Sequence, residues 1–127
     1  MSDSEQAFKV KIVQLILGKE TQKAIEALSQ HYGIVVPKLK VGMPKKSGRN
    51  AGCYLSRTKT IHLADREKLV DPFVILHEFY HHLRTHGEEH LGTEKHADRF
   101  AEEFIEAYQA SRKYSFDVSY KFEKLGE

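Results

Sequence analysis

The chain has 127 residues, 40% of them apolar and 30% charged, with a formal net charge of +2. That length supports one hydrophobic core rather than two, so a single domain over 1–127 is expected. The near-neutral balance gives no electrostatic case for nucleic acid, and the single Cys53 excludes an internal disulfide and fits a reducing compartment.

Residues 1–33 read as a helix pair. Ser2-x-x-Glu5 is a capping-box pattern, Phe8, Ile12, Leu15 and Ile16 form a stripe, and Gly18 closes the segment. The run 8–17 is too short to span a bilayer and is interrupted by Lys9, Lys11 and Gln14, with no cleavage-site pattern after it. A cytoplasmic protein without a membrane segment is therefore expected. Thr21 reads as the cap of a second helix with Ile25, Leu28 and Tyr32 on one stripe and Gly33 at its end. Helix pairs of this kind can read DNA, but Gln22, Lys23, Glu26 and Gln30 make an ordinary solvated face, so nucleic acid is not the expected partner.

Residues 34–64 read as sheet. Ile34-Val35-Val36 and Leu39-Lys40-Val41 are strand pieces broken by Pro37, and 42–50 is a loop carrying Lys45, Lys46 and Arg49. Residues 52–56 and 59–63 are β-rich runs around a small polar turn, which predicts a hairpin. Gly52, Cys53 and Tyr54 on its first strand form a candidate edge for an extended peptide. Cys53 could also approach a metal and hold it latent, although a cysteine is more often a small core residue.

Asp71-Pro72 opens a helix over 71–86, with Phe73, Leu76, Phe79 and Leu83 as its apolar residues and His86-Gly87 as its close. Thr93 caps a further helix over 93–112, striped by Ala97, Phe100, Ala101, Phe104, Ile105 and Tyr108. The tail 113–127 alternates apolar and polar residues through Tyr114, Phe116, Val118, Tyr120 and Phe122, a period of two that predicts a strand. It could pair within the chain or with a second copy. The class expected from this order is α+β.

Within the 71–86 helix stands His77-Glu78-Phe79-Tyr80-His81. Residues four apart on a helix differ by about 40° in direction, so His77 and His81 share a face and can grip one metal ion. Glu78 lies beside them, placed to take a proton from an activated water. This is the H-E-x-x-H pattern of zinc-dependent hydrolases, and Zn2+ is the cofactor it implies. A catalytic zinc needs a third protein ligand. Glu94 opens the next helix, and Asp98, one turn on, can accept a hydrogen bond from a ligand histidine and fix its ring. His90 in the preceding loop is the alternative ligand. His82 and His86 are four apart but face about 100° away, which suggests surface or supporting residues. His31, His62 and His96 lack a partner at ligand spacing.

The chain resembles the ImmA/IrrE family of zinc metallopeptidase-like domains through Gly52-x-Tyr54, Thr60-Ile61-His62-Leu63, Asp71-Pro72 and His77 to His81. Glu94-Lys95-His96-Ala97-Asp98-Arg99-Phe100-Ala101 is similar to the family's E-x-x-A-(N/D)-x-F-A signature, whose Glu completes the metal site. The span from His81 to Glu94 is short for the family. The resemblance implies a small zincin-like domain that cleaves a protein or peptide, such as a transcriptional repressor. The alternatives are a metal-binding regulatory module that does not cut its partner and a DNA-associated factor using the first helices and the basic loop.

Overall fold

The computed structural model describes residues 3–44, 50–85 and 94–125, with side chains over 4–44, 50–85 and 94–113. The order is α1 (Asp3–Leu17), α2 (Thr21–Tyr32), β1 (Lys38–Val41), β2 (Gly52–Leu55), β3 (Thr60–Leu63), a 3-10 helix (Arg66–Val70), α3 (Pro72–Thr85) and α4 (Glu94–Leu125). The class is α+β, as the sequence indicates. Ser2, the loop with Lys45, Lys46 and Arg49, and residues His86, His90 and Thr93 lie outside the described residues.

The first two helices pack through Ile12, Val13 and Ile16 of α1 and Ala24, Ile25 and Leu28 of α2, all buried. At the end of α1 the Glu20 N–H donates to Leu15 O at 2.8 Å and the Lys19 N–H to Ile16 O at 3.2 Å. This is a Schellman closure, and its left-handed residue is Lys19 (φ 66°), not Gly18. Thr21 does not cap α2. It already sits in the first turn, and its hydroxyl donates to Leu69 O at 2.6 Å, tying α2 to the 3-10 helix. Gly33 (φ 70°) closes α2.

The sheet is mixed, in the order β1-β3-β2, with β3 parallel to β1 and antiparallel to β2. The predicted hairpin is β2–β3. Ile34, Val35 and Val36 are not strand: pairing starts at Lys38, after Pro37, which has no N–H to give to a ladder. Opposite Gly52 stands Leu63, and opposite Tyr54 stands Ile61. Both Ile61 and Leu63 are fully buried, so Gly52 and Tyr54 share the face that meets the helices. Cys53 alternates to the other face, opposite His62.

Asp71 caps α3 as expected: its Oδ1 accepts from the N–H of Phe73 (3.0 Å) and Val74 (3.4 Å), with Pro72 at the first helical position. Val74, Ile75, Leu76 and Phe79 then join Ile61, Leu63, Ala101 and Phe104 in one core. Phe73 is 36% exposed rather than buried. It lies four residues before His77 and so belongs to the histidine face, not the core face.

The predicted C-terminal strand is not formed, because α4 runs on through Leu125. From Glu94 to Leu125 the helix contains no Gly or Pro, and Gly126 is the next glycine. Each added helical residue gains a hydrogen bond, whereas a new strand needs a free sheet edge to meet, so propagation outweighs the alternation of side chains. Among the described residues no helix is long and apolar enough to cross a membrane.

Candidate metal centre

Three elements bring the site together. α3 supplies His77, Glu78 and His81, α4 supplies Glu94 and Asp98 from its first turns, and β2 passes over them with Gly52. The approach of β2 is tight. A Cβ on Gly52 would lie 3.0 Å from Val74 Cγ1, 3.1 Å from His62 O and 3.4 Å from Glu78 Cγ, so only glycine lets the strand sit this close to the helix.

His77, His81 and Glu94 each offer a ligand atom, and those atoms all lie within 4.8 Å of one another. His77 Nε2 is 3.0 Å from Glu94 Oε2, and His81 Nε2 is 2.7 Å from Glu94 Oε1. Asp98 Oδ1 stands 2.9 Å from His77 Nδ1. A carboxylate can only accept, so Nδ1 carries a proton and donates to Asp98, while Nε2 faces the Glu94 carboxylate; where the ring is neutral, Nε2 turns its lone pair towards Glu94. Two acceptor atoms then face each other and need a proton or a cation between them. His81 Nε2 is buried and, despite its short distance to Glu94, has no hydrogen-bond partner of acceptable geometry. In tetrahedral zinc sites neighbouring ligand atoms stand about 3.3 Å apart, close to the spacings here. These residues fit a metal ion.

The charges agree. Burial alone would raise the Glu94 carboxyl, but His77 and His81 more than offset it and hold the group below its ordinary range. Glu78 behaves in the opposite way. It is 8% exposed, and burial pushes its carboxyl up to about 7; Glu94 adds to the rise and His77 opposes it. A carboxylate poised near neutrality, 4.0 Å from His77 Nε2, suits a group that must take up and release a proton.

His82 is not a surface residue. It is fully buried, with Nδ1 2.7 Å from the Tyr54 hydroxyl and Nε2 2.8 Å from Val35 O. The carbonyl can only accept, so Nε2–H donates to it and Nδ1 accepts from Tyr54. One imidazole thereby fixes α3, β2 and the segment before β1 in a single arrangement. A signal for it was present, since Ile75, Phe79 and His82 follow core-face spacing. Cys53 alternates to the face of β2 opposite Gly52 and Tyr54, and it is among the residues lining the cavity that also takes in Glu78, His81 and Glu94.

Two modest cavities flank the cluster. One of about 360 Å³ lies by Tyr54, Ser56, His81 and Thr85; the other, about 260 Å³, lies by Ala51, Phe73, Val74 and His77. Larger grooves of about 660 and 580 Å³ lie beside β1 and between α1 and α4, but neither contains this cluster. The centre is therefore assigned by its chemistry rather than by cavity size. Comparison with family models, curated proteins and solved structures finds no match.

Proposed function

We propose that this chain is a zinc-dependent metallopeptidase of zincin-like build. The observation that carries the reading is the convergence of His77, His81 and Glu94 on one point beside the buried carboxyl of Glu78. In this reading His77, His81 and Glu94 hold the metal, and Asp98 orients His77. Zinc bound there supplies a Lewis acid for the scissile carbonyl and lowers the pKa of water towards about 7. Glu78 accepts the proton of the attacking water and delivers it to the leaving nitrogen. The backbone of β2 at Gly52 and Tyr54 aligns the peptide. The resemblance noted above makes a repressor-type regulatory protein the proposed substrate.

Removing Glu78 tests the reading. Zinc-loaded wild type is expected to produce new fragments from a pool of unfolded polypeptides, while Glu78→Gln keeps its zinc and loses at least about 100-fold in rate. Mass spectrometry of the fragments and metal analysis of both proteins are the readouts. Unchanged cleavage by the variant would remove Glu78 from the chemistry.

A further inference from the structure

The net charge of +2 conceals a strong segregation. From Gly33 to Leu63 the chain carries seven Lys and Arg residues and neither Asp nor Glu, so the rest of the chain holds a net charge of −5. The basic segment builds the sheet, and β1 is the edge remote from the metal ligands, with β3 between it and β2. Among the described residues β1 pairs only with β3. The Lys38 N–H donates to Lys59 O at 2.9 Å and the Gly42 N–H to Leu63 O at 2.7 Å. In a parallel ladder of this phase Lys38 and Lys40 turn their backbone groups towards β3, and Leu39 and Val41 turn theirs to the open edge.

The two faces of that edge differ in chemistry. Leu39 and Val41 stand opposite the buried Ile61 and Leu63 and so lie on the helix side, where a groove of about 660 Å³ runs beside β1 and the 3-10 helix. The groove surface is mainly apolar, through Leu39, Val41, Leu69 and Val70, and its polar lining is Lys19, Thr21, Gln22, Arg66 and Glu67. Val41 is 48% exposed, and Val35 and Val36 just before the strand are exposed as well. Lys38 and Lys40 stand opposite Thr60 and His62 on the other face. Both are exposed, and neither forms an ion pair among the described residues. An edge with open backbone groups, an apolar flank and two unpaired cations is equipped for strand addition.

We propose that the β1 edge docks an extended segment of a partner protein in which carboxylate and apolar side chains alternate. The segment hydrogen-bonds to Leu39 and Val41, lays its apolar side chains over the groove and sets its carboxylates beside Lys38 and Lys40. Period two puts the two kinds of side chain on opposite faces of the added strand, which matches the two faces of β1. A second copy of the chain is a poor occupant. Antiparallel pairing of two β1 edges would place the lysines of both copies on one face of the joined sheet, and like charges opposed across a ladder are destabilising. Nucleic acid would satisfy the lysines but leave the apolar groove unused. The site is separate from the metal centre and does not depend on the peptidase reading.

Fluorescence anisotropy on the full chain tests this with dye-labelled peptides that alternate glutamate with valine or lysine with valine. The glutamate peptide is expected to bind at least about tenfold tighter, and the double substitution Lys38→Glu with Lys40→Glu is expected to reverse the order. Affinities are expected to be the same with zinc loaded or removed. Methylating the backbone nitrogens of the valines or of the glutamates takes away alternate donors, so one of these two peptides is expected to lose binding and the other to keep it. Binding of neither starting peptide would make the lysines guards against edge pairing and overturn the proposal. Equal affinities, a preference that survives the charge reversal, or an equal response to the two methylations would overturn it as well. A preference seen only with zinc would move the peptide to the metal centre. Tighter binding of a single-stranded oligonucleotide, or a concentration-dependent dimer in sedimentation, would assign the edge to nucleic acid or to a second copy instead.

Discussion

At the scale of single residues, burial and charge conflict most at Glu78. Its folded pKa of about 7 lies above the ordinary 4.5, so between those values the folded protein holds a proton that the unfolded chain releases. Stability in the metal-free protein is therefore greatest at the acidic end of this window and falls as pH rises through about 7. Replacing Glu78 by Gln removes the slope. The metal-free variant is expected to gain on wild type between pH 5 and pH 8, by an amount on the order of 1–3 kcal/mol in urea unfolding. An equal difference at both pH values would show that Glu78 titrates normally. The spacing of His77, Glu78, His81, Glu94 and Asp98 made these residues legible in the sequence, because ligand chemistry is written in helical periods. The demands on Gly52 and Phe73 were not legible. Each depends on a neighbour from another element: Val74 and His62 against Gly52, and the start of β2 against Phe73.

At the scale of elements, local chemistry decided what could be read ahead. Asp71-Pro72, Gly33 and the polar turn between β2 and β3 act within a few residues of themselves, and they fall where the sequence places them. Thr21 and the tail 113–127 were misread because their outcome is set at longer range. The Thr21 hydroxyl finds Leu69, and the tail is carried along by the unbroken helix before it. Two substitutions of opposite sign follow. Asp71→Ala leaves the Phe73 and Val74 N–H groups without their acceptor and is expected to cost about 1 kcal/mol. Lys19→Gly relieves a side chain held at φ 66° and is expected to gain up to about 1 kcal/mol. Denaturant midpoints measure both. A stabilised Asp71→Ala or a destabilised Lys19→Gly would contradict the capping account.

At the scale of the whole molecule, the candidate metal centre is a junction. α3 and α4 meet at His77, His81, Glu94 and Asp98, β2 closes over Glu78, and His82 fixes the helix to Tyr54 and Val35. A ligand that binds only this folded arrangement stabilises it by mass action, by about 4 kcal/mol at a thousandfold excess over Kd. Zinc should therefore raise the thermal midpoint of wild type and leave that of His77→Ala unchanged. The most direct test of the centre itself is the zinc K-edge X-ray absorption spectrum of the protein loaded with one equivalent of zinc. Two imidazoles and a carboxylate oxygen, all at about 2.0–2.2 Å, are expected, with the carboxylate contribution lost in Glu94→Ala. A third imidazole in place of the carboxylate, or a sulfur at about 2.3 Å, would contradict the ligand set on which the account rests.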